Sequence, residues 1–150
     1  MTKDSNQTAE IFSMIKIGEF RPFKQFVELY KADLEAKYIS GYTPLMEAVF
    51  LQNNIFVNYI ADHVKKISGN NQSRYTNYIN AKSSDGKTAL IIATLGNSDI
   101  SIIETLLEKG ANPTLVDLHG KNVKDYAPYS VCQEVEDFWR DYKPRKKIVI

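Results

Sequence analysis

A short pattern that recurs along the chain is the feature that most limits its possible fold. The segment GYTPLMEA at Gly41–Ala48 returns as GKTALIIA at Gly86–Ala93, and more weakly as GKNVKDYA at Gly120–Ala127. The first two copies begin 45 residues apart and the next two begin 34 residues apart. A period of about 20 to 50 residues is typical of proteins in which similar units stack on one another. The sequence therefore predicts an array.

Each copy carries the signals of a tight turn that leads into a helix. The first glycine can adopt the positive φ of a hairpin turn. Thr43, Thr88 and Asn122 follow two residues later, and such side chains accept a hydrogen bond from the first turn of a helix. Pro44 stands just after its cap, where proline is pre-organised for the helix. Ala48 and its equivalents are small enough for neighbouring helices to approach closely.

A second helix is predicted after the first in each unit. It is clearest in SDISIIETLLEKGANPT, where apolar residues recur at helical spacing until Gly110 ends the helix. Matching second helices are predicted at Pro22–Tyr30 and Asn54–Lys66. The apolar stripe of the clearest example, which we assign to the core, is Ile102, Ile103, Leu106 and Leu107.

These residues resemble the ankyrin repeat family, whose pattern runs roughly D-x-x-G-x-T-P-L-H-x-A-A, a second helix that ends in L-L, and then G-A-D-V-N-A. The GxTPL start and the LLEKGANP exit carry the resemblance, which covers about Ile11–Trp139. It implies an all-α solenoid of stacked helix pairs joined by short hairpin loops. We expect one domain of about four repeats, including caps, at 8–37, 38–82, 83–117 and 118–142, followed by a basic tail at 143–150.

The departures from the family pattern lead to further expectations. Met46 and Ile91 replace the histidine of the pattern, so the hydrogen bond that usually braces adjacent hairpins is expected to be missing and the hairpins looser. Lys124 and Pro128 suit a terminal cap with a short first helix. The first copy lacks the TPL motif and is expected to form the opening cap, with helices at 8–18 and 22–30. Its inward residues are expected to be Ile11, Phe12, Ile15, Phe23, Phe26 and Val27.

The second repeat contains an insertion of about a dozen residues, because a spacing of 45 exceeds the usual 33 or so. The inserted segment at 65–78 is KKISGNNQSRYTNY, which predicts a longer second helix and then an exposed loop. Two interpretations stay open. The insertion is either a tolerated surface loop or a contact element, since Arg74, Tyr75 and Tyr78 combine charge with aromatic area.

The family resemblance implies a protein that binds another protein through a concave surface of hairpin tips and first helices, with no catalysis, cofactor or metal. Ile39, Tyr42, Phe50 and Leu51 would form an apolar patch on that surface, unless the caps or the insertion cover it. Transferred by register, the expected partner-binding residues are Ile39, Ser40, Tyr42, Phe50, Leu51, Ser84, Asp85, Lys87, Leu95, Leu118, His119 and Lys121.

An enzyme is the first competing interpretation, and the residues argue against it. The chain has two histidines, His63 and His119, which lie 56 positions apart without a spaced carboxylate or cysteine partner. His63 is expected near a helix end and at the surface. Cys132 is the only cysteine, so neither an internal disulfide nor a cysteine-rich zinc site can form, and we expect it to pack as a small hydrophobic residue.

A nucleic-acid-associated protein is the second competing interpretation. Its support is the tail DYKPRKKIVI, although a net charge of +1 gives the chain no strong overall positive field. The tail could instead be solvated, and its last three residues could fold back or add to a sheet edge of a partner.

The N-terminus and the longest apolar stretches indicate where in the cell the protein is expected. The N-terminal MTKDSNQTAEIF lacks the apolar run of a secretory signal, and no apolar stretch is long enough to span a membrane. We therefore expect a cytoplasmic protein with no membrane contact that is monomeric alone. An inhibitor, an adaptor and a secreted effector that acts on host proteins all remain open.

Overall fold

A computed structural model describes residues 3–96, 100–127, 131–137 and 140 of the chain. Residues 131–137 are helical in addition to the helices named next. The helix bounds are α1 (Lys3–Ile17), α2 (Phe20–Tyr30), α3 (Pro44–Phe50), α4 (Asn54–Ser68), α5 (Gln72–Ile79), α6 (Ala89–Leu95), α7 (Ile100–Glu108) and α8 (Val123–Tyr126).

The helices pack as pairs, and the pairs stack in the order of the chain. The pairs are α1 with α2, α3 with α4, and α6 with α7. The first helices α1, α3, α6 and α8 contact one another in series, and the second helices α4 and α7 do the same. The predicted all-α array of stacked helix pairs is confirmed.

The predicted turns and helix starts are also confirmed. Thr43 and Thr88 each accept a hydrogen bond at 3.2 Å from the backbone N–H three residues later. Asn122 accepts one from the N–H of Lys124 at 2.9 Å. The turn glycines Gly41, Gly86 and Gly120 have φ angles of +78°, +79° and +71°.

The core lies between the stacked pairs. Ala48 and Ala93 are completely buried where the first helices meet. The predicted stripe of α7 is buried, with no member more than 2% exposed. The expected inward residues of the opening cap are likewise buried, except that Phe26 is partly buried against the core. The cap begins earlier than expected, because α1 starts at Lys3 and not at Thr8.

Other hydrogen bonds brace the hairpins in place of the missing histidine bond. The Sδ atom of Met46 accepts a hydrogen bond from the N–H of Thr43 at 3.5 Å. The Lys37 ammonium donates to the backbone oxygen of Lys82 at 2.7 Å, and the Lys82 ammonium donates to the backbone oxygen of Val116 at the same distance. Because 37, 82 and 116 follow the repeat spacing, each lysine links its hairpin to the next.

The inserted segment is a helix, so the prediction of an exposed loop is wrong. Helix α4 does extend to Ser68, as expected, but a short turn then leads into α5. Asn71 caps α5 by accepting a hydrogen bond from the N–H of Arg74 at 3.0 Å. Three residues of α5 at helical spacing share one face, and that face is buried against the rest of the protein. These residues are Tyr75, Tyr78 and Ile79.

The two buried tyrosines also contradict the interpretation of the insertion as a contact element. The Tyr75 hydroxyl donates to the backbone oxygen of Lys109 at 2.8 Å, and the Tyr78 hydroxyl donates to that of Leu34 at 2.6 Å. Arg74 binds the carboxylate of Glu35 through two of its nitrogens, at 2.6 and 3.1 Å. Helix α5 therefore ties the first, second and third repeats together.

The last repeat has a short first helix. Helix α8 has four residues and ends before Ala127. Lys124 is exposed and pairs with Glu136 at 2.6 Å. Pro128 and the tail at 143–150 lie outside the described residues.

Candidate partner-binding surface

Three hairpins and the exposed ends of α3 and α6 form one side of the stack, which we call the front face. Each hairpin is closed by a backbone hydrogen bond of 2.9 Å, between residues 38 and 42, 83 and 87, and 117 and 121. The Ser84 hydroxyl donates to the backbone oxygen of Ser40, and the N–H of Leu118 donates to that of Asp85, each at 3.3 Å. The hairpin tips therefore stand in a row.

Large apolar side chains remain exposed on the front face. Ile39 is 91% exposed and Leu118 is 74% exposed, both at hairpin tips. Phe50, Leu95 and Leu51 are 57%, 44% and 39% exposed at the ends of the first helices. Neither the described part of the caps nor helix α5 covers these five side chains.

Two of the predicted residues join the hairpins to the helix ends. The rings of Tyr42 and Phe50 meet edge to face, with centroids 6.3 Å apart. Burial, with a smaller effect from Asp85, raises the pKa of Tyr42. At the far end of the face, the Gln52 amide donates to the backbone oxygen of Gly96 at 3.1 Å, which ties the ends of α3 and α6 together.

The predicted polar residues of the second hairpin pair with each other. The Lys87 ammonium and the Ser83 hydroxyl both bond to the carboxylate of Asp85. The hydrogen bond from Lys87 is the main reason that the pKa of Asp85 is lowered. These groups shape the hairpin and leave Ser84 exposed at its tip.

The third hairpin is held by a carboxylate that sequence reasoning did not assign. Asp117 is buried and accepts hydrogen bonds from the Tyr126 hydroxyl and from the N–H groups of His119 and Lys121, the last two at 2.8 and 3.1 Å. The bond from Tyr126 is the main cause of the lowered pKa of Asp117, and it raises the pKa of Tyr126 to about 12. The Lys121 ammonium lies 5.7 Å from the centre of the Tyr126 ring.

A cleft of about 340 Å³ continues the front face beyond the first hairpin. Helix α1 forms one wall and the first hairpin forms the other, with Ile39 at the edge. Sequence reasoning missed the cleft because the opening cap carries no family motif from which to transfer positions. Its lining residues are Ser5, Asn6, Thr8, Ala9, Lys37, Tyr38 and Ile39.

A larger cleft, of about 590 Å³, lies between the second helices α2 and α4. It contains His63, which is within α4 and half-buried, and not near a helix end as expected. Its ring stacks on Tyr59 with centroids 5.9 Å apart. Burial and the neighbouring Lys66 lower the pKa of His63.

Other expectations about chemistry can be compared with the described residues. Within the described part of the chain, no group of three or more histidine, cysteine, aspartate or glutamate side chains is arranged to hold a metal ion. Cys132 is partly buried, and its Sγ lies 3.4 Å from the backbone oxygens of Lys124 and Ala127. None of the helices in the described part is both long enough and apolar enough to cross a membrane.

The family is shown by the match to a family model for ankyrin repeats in three copies, which covers residues 12–117. The chain belongs to the ankyrin repeat family. Ankyrin repeats are protein–protein interaction modules. A search of curated proteins found no significant sequence match.

Solved structures show the same fold. The ankyrin repeat domain of Bcl-3, a member of the IkappaB protein family, aligns with a TM-score of 0.68 and 23% identity over 87% of this chain. This chain spans half the length of that domain. The chaperone Yar1, in a crystal structure with the yeast ribosomal protein Rps3, aligns with a TM-score of 0.78 and 21% identity, over 95% of this chain and 97% of its own.

Proposed function

We propose that this chain is a non-catalytic cytoplasmic module that holds a partner protein against its front face, as a stoichiometric inhibitor or an adaptor. The observation that carries the proposal is the group of five exposed apolar side chains on that face. Their inward neighbours on α3, such as Leu45 and Val49, are at most 1% exposed. The core is therefore complete without Phe50 and Leu51, and exposed apolar groups of this kind are typical of interfaces.

The surface also has the rigidity that an interface needs. The hairpins are cross-linked by hydrogen bonds from Lys37, Lys82 and Ser84. A pre-organised surface loses little conformational entropy when a partner binds. The comparison with Yar1, which is the chaperone of another protein, agrees with a stoichiometric binder but does not identify a partner for this chain.

The proposal is tested by capturing partners from a lysate of the native organism. The test variant is Phe50→Asp with Leu51→Asp, and the matched control is Leu29→Asp with Tyr30→Asp, which changes two exposed side chains at the end of α2. Circular dichroism and thermal melting should be the same for all three proteins. A protein captured by the wild type and the control, and lost by the test variant, is the expected result.

Two other results would change the conclusion. If all three proteins captured the same partner, the front face would not be the binding site. If partners were captured only from the lysate of a host, and not from the native organism, the chain would be a secreted effector and not a cytoplasmic inhibitor or adaptor.

A further inference from the structure

We propose that the front face selects a partner segment that carries both apolar and acidic side chains. The inference rests on the proposed function and adds the chemistry of the partner. It is carried by three lysines, one on each hairpin, that lie beside the exposed apolar residues. These lysines are Lys37, Lys82 and Lys121.

Each of the three ammonium groups is held in place without a carboxylate. Lys37 and Lys82 donate to backbone oxygens at 2.7 Å, and Lys121 lies over the ring of Tyr126. Among the described residues, none of the three forms an ion pair. A positioned cation without a counter-ion attracts an anionic partner at little cost in side-chain entropy.

The carboxylates of Asp85 and Asp117 offset only part of this charge. Asp117 is buried and keeps its negative charge, because the hydrogen bonds from Tyr126 and from its own hairpin lower its pKa. Asp85 is neutralised by Lys87. The three hairpins carry four lysines, at 37, 82, 87 and 121, against these two carboxylates, so the row presents excess positive charge although the net charge of the whole chain is only +1.

The apolar residues favour a protein segment over a nucleic acid. Ile39 and Leu118 lie at the tips of the hairpins that carry Lys37 and Lys121, and they are 91% and 74% exposed. A phosphate backbone offers such side chains no apolar surface, whereas a protein interface commonly has an apolar centre with charged groups around it. The cleft beside Ile39, of about 340 Å³, is large enough for an apolar side chain of the partner.

The test uses three fluorescent peptides of equal length that share the same leucine and phenylalanine positions and differ only in their polar residues, which are glutamate, glutamine or lysine. Fluorescence anisotropy should show that the wild-type chain binds the glutamate peptide at least about tenfold more tightly than the lysine peptide at low salt, because like charges repel. The preference should shrink in about 1 M salt, where the Debye length is about 3 Å.

Two triple variants separate this charge effect from an effect of net charge. The test variant, Lys37→Glu with Lys82→Glu and Lys121→Glu, should reverse the preference. The control variant, Lys24→Glu with Lys31→Glu and Lys66→Glu, should leave it intact. Its three lysines lie away from the hairpins, in α2, just after α2 and in α4. A third variant, Lys37→Met with Lys82→Met and Lys121→Met, should abolish the preference. Urea unfolding shows which variants are folded, and the salt titration of the wild type tests the inference even if the variants are not.

The remaining outcomes are decisive as well. Equal binding of the three peptides that is lost in Phe50→Asp would keep the proposed function and overturn the acidic preference. Binding of the glutamate peptide that Phe50→Asp leaves unchanged would overturn both. Tighter binding of a single-stranded or double-stranded oligonucleotide than of any peptide, or no peptide binding at millimolar concentration, would overturn the inference.

Discussion

The hydroxyl of Tyr78, in the inserted helix α5, donates a hydrogen bond at 2.6 Å to the backbone oxygen of Leu34, 44 residues earlier in the chain. Tyr75, one turn before it, makes the corresponding bond to Lys109 in the third repeat. An insertion in one repeat thus supplies contacts to both neighbours. Repeat arrays gain much of their stability from the interfaces between units, so α5 is part of the structural framework.

Removal of the Tyr78 hydroxyl should destabilise the whole array. Tyr78→Phe leaves the backbone oxygen of Leu34 without this donor, and an unsatisfied buried group costs about 1–3 kcal/mol. Urea unfolding should show this loss, while Tyr30→Phe, at a site that is 64% exposed, should change the free energy of unfolding by less than about 0.5 kcal/mol. Equal stability of the two variants would refute a bracing role for α5.

The hairpin glycines should differ in their tolerance of alanine. A Cβ atom on Gly86 would lie 2.8 Å from the backbone nitrogen of Leu118, whereas one on Gly120 would meet nothing within 4 Å. Both residues have a positive φ, which costs an alanine about 1–2 kcal/mol. Gly120→Ala should therefore lose only about that amount, and Gly86→Ala should lose clearly more in thermal or urea unfolding. The reverse order would show that the second and third hairpins are not closely stacked.

Asp117 should make the protein sensitive to acid. Its pKa is lowered in the folded state, chiefly by the hydrogen bond from Tyr126. The stabilisation is therefore present above the unfolded pKa of about 3.9 and is lost as the pH falls through the lower folded value. Between pH 5 and pH 2, the difference in melting temperature between wild type and Asp117→Asn should shrink. A constant difference would contradict the assigned pKa shift.

Tyr126 should make the protein sensitive to alkali, because its contribution to stability falls as the pH rises. Its folded pKa is raised to about 12 because Asp117 holds the hydroxyl in its protonated form. The stabilisation is present below the unfolded pKa of about 10 and is lost as the pH rises from there towards 12. Relative to Tyr126→Phe, the wild type should lose stability from pH 9 to pH 11. The absolute fall is not diagnostic, because other tyrosines also titrate, so the comparison between the two proteins is the measurement.

Much of the fold could be predicted because its signals are local. A glycine with positive φ, a capping threonine and an apolar stripe at helical spacing each act within a few residues, and these predictions were confirmed at Gly41, Thr43 and Leu106. The exposed loop was predicted wrongly for the same reason. Seen alone, the inserted segment is polar, and its buried face becomes favourable only when Leu34 and Lys109 supply acceptors for Tyr78 and Tyr75.

The partner-binding positions remain predictions that were transferred by register, and the structure adds what register could not supply. Family patterns mark the hairpin tips, but they do not show that Lys37 and Lys82 reach the next hairpin, or that a cleft opens between α1 and Ile39. Those features depend on residues about 30 to 45 positions apart in the chain. The sequence by itself determined the array of helix pairs, because turns, caps and apolar periodicity are properties of short segments. The tertiary structure alone decided which polar groups form hydrogen bonds inside the stack and which side chains stay exposed on the front face. Hydrogen bonding and burial depend on the contact of segments that are distant in the chain.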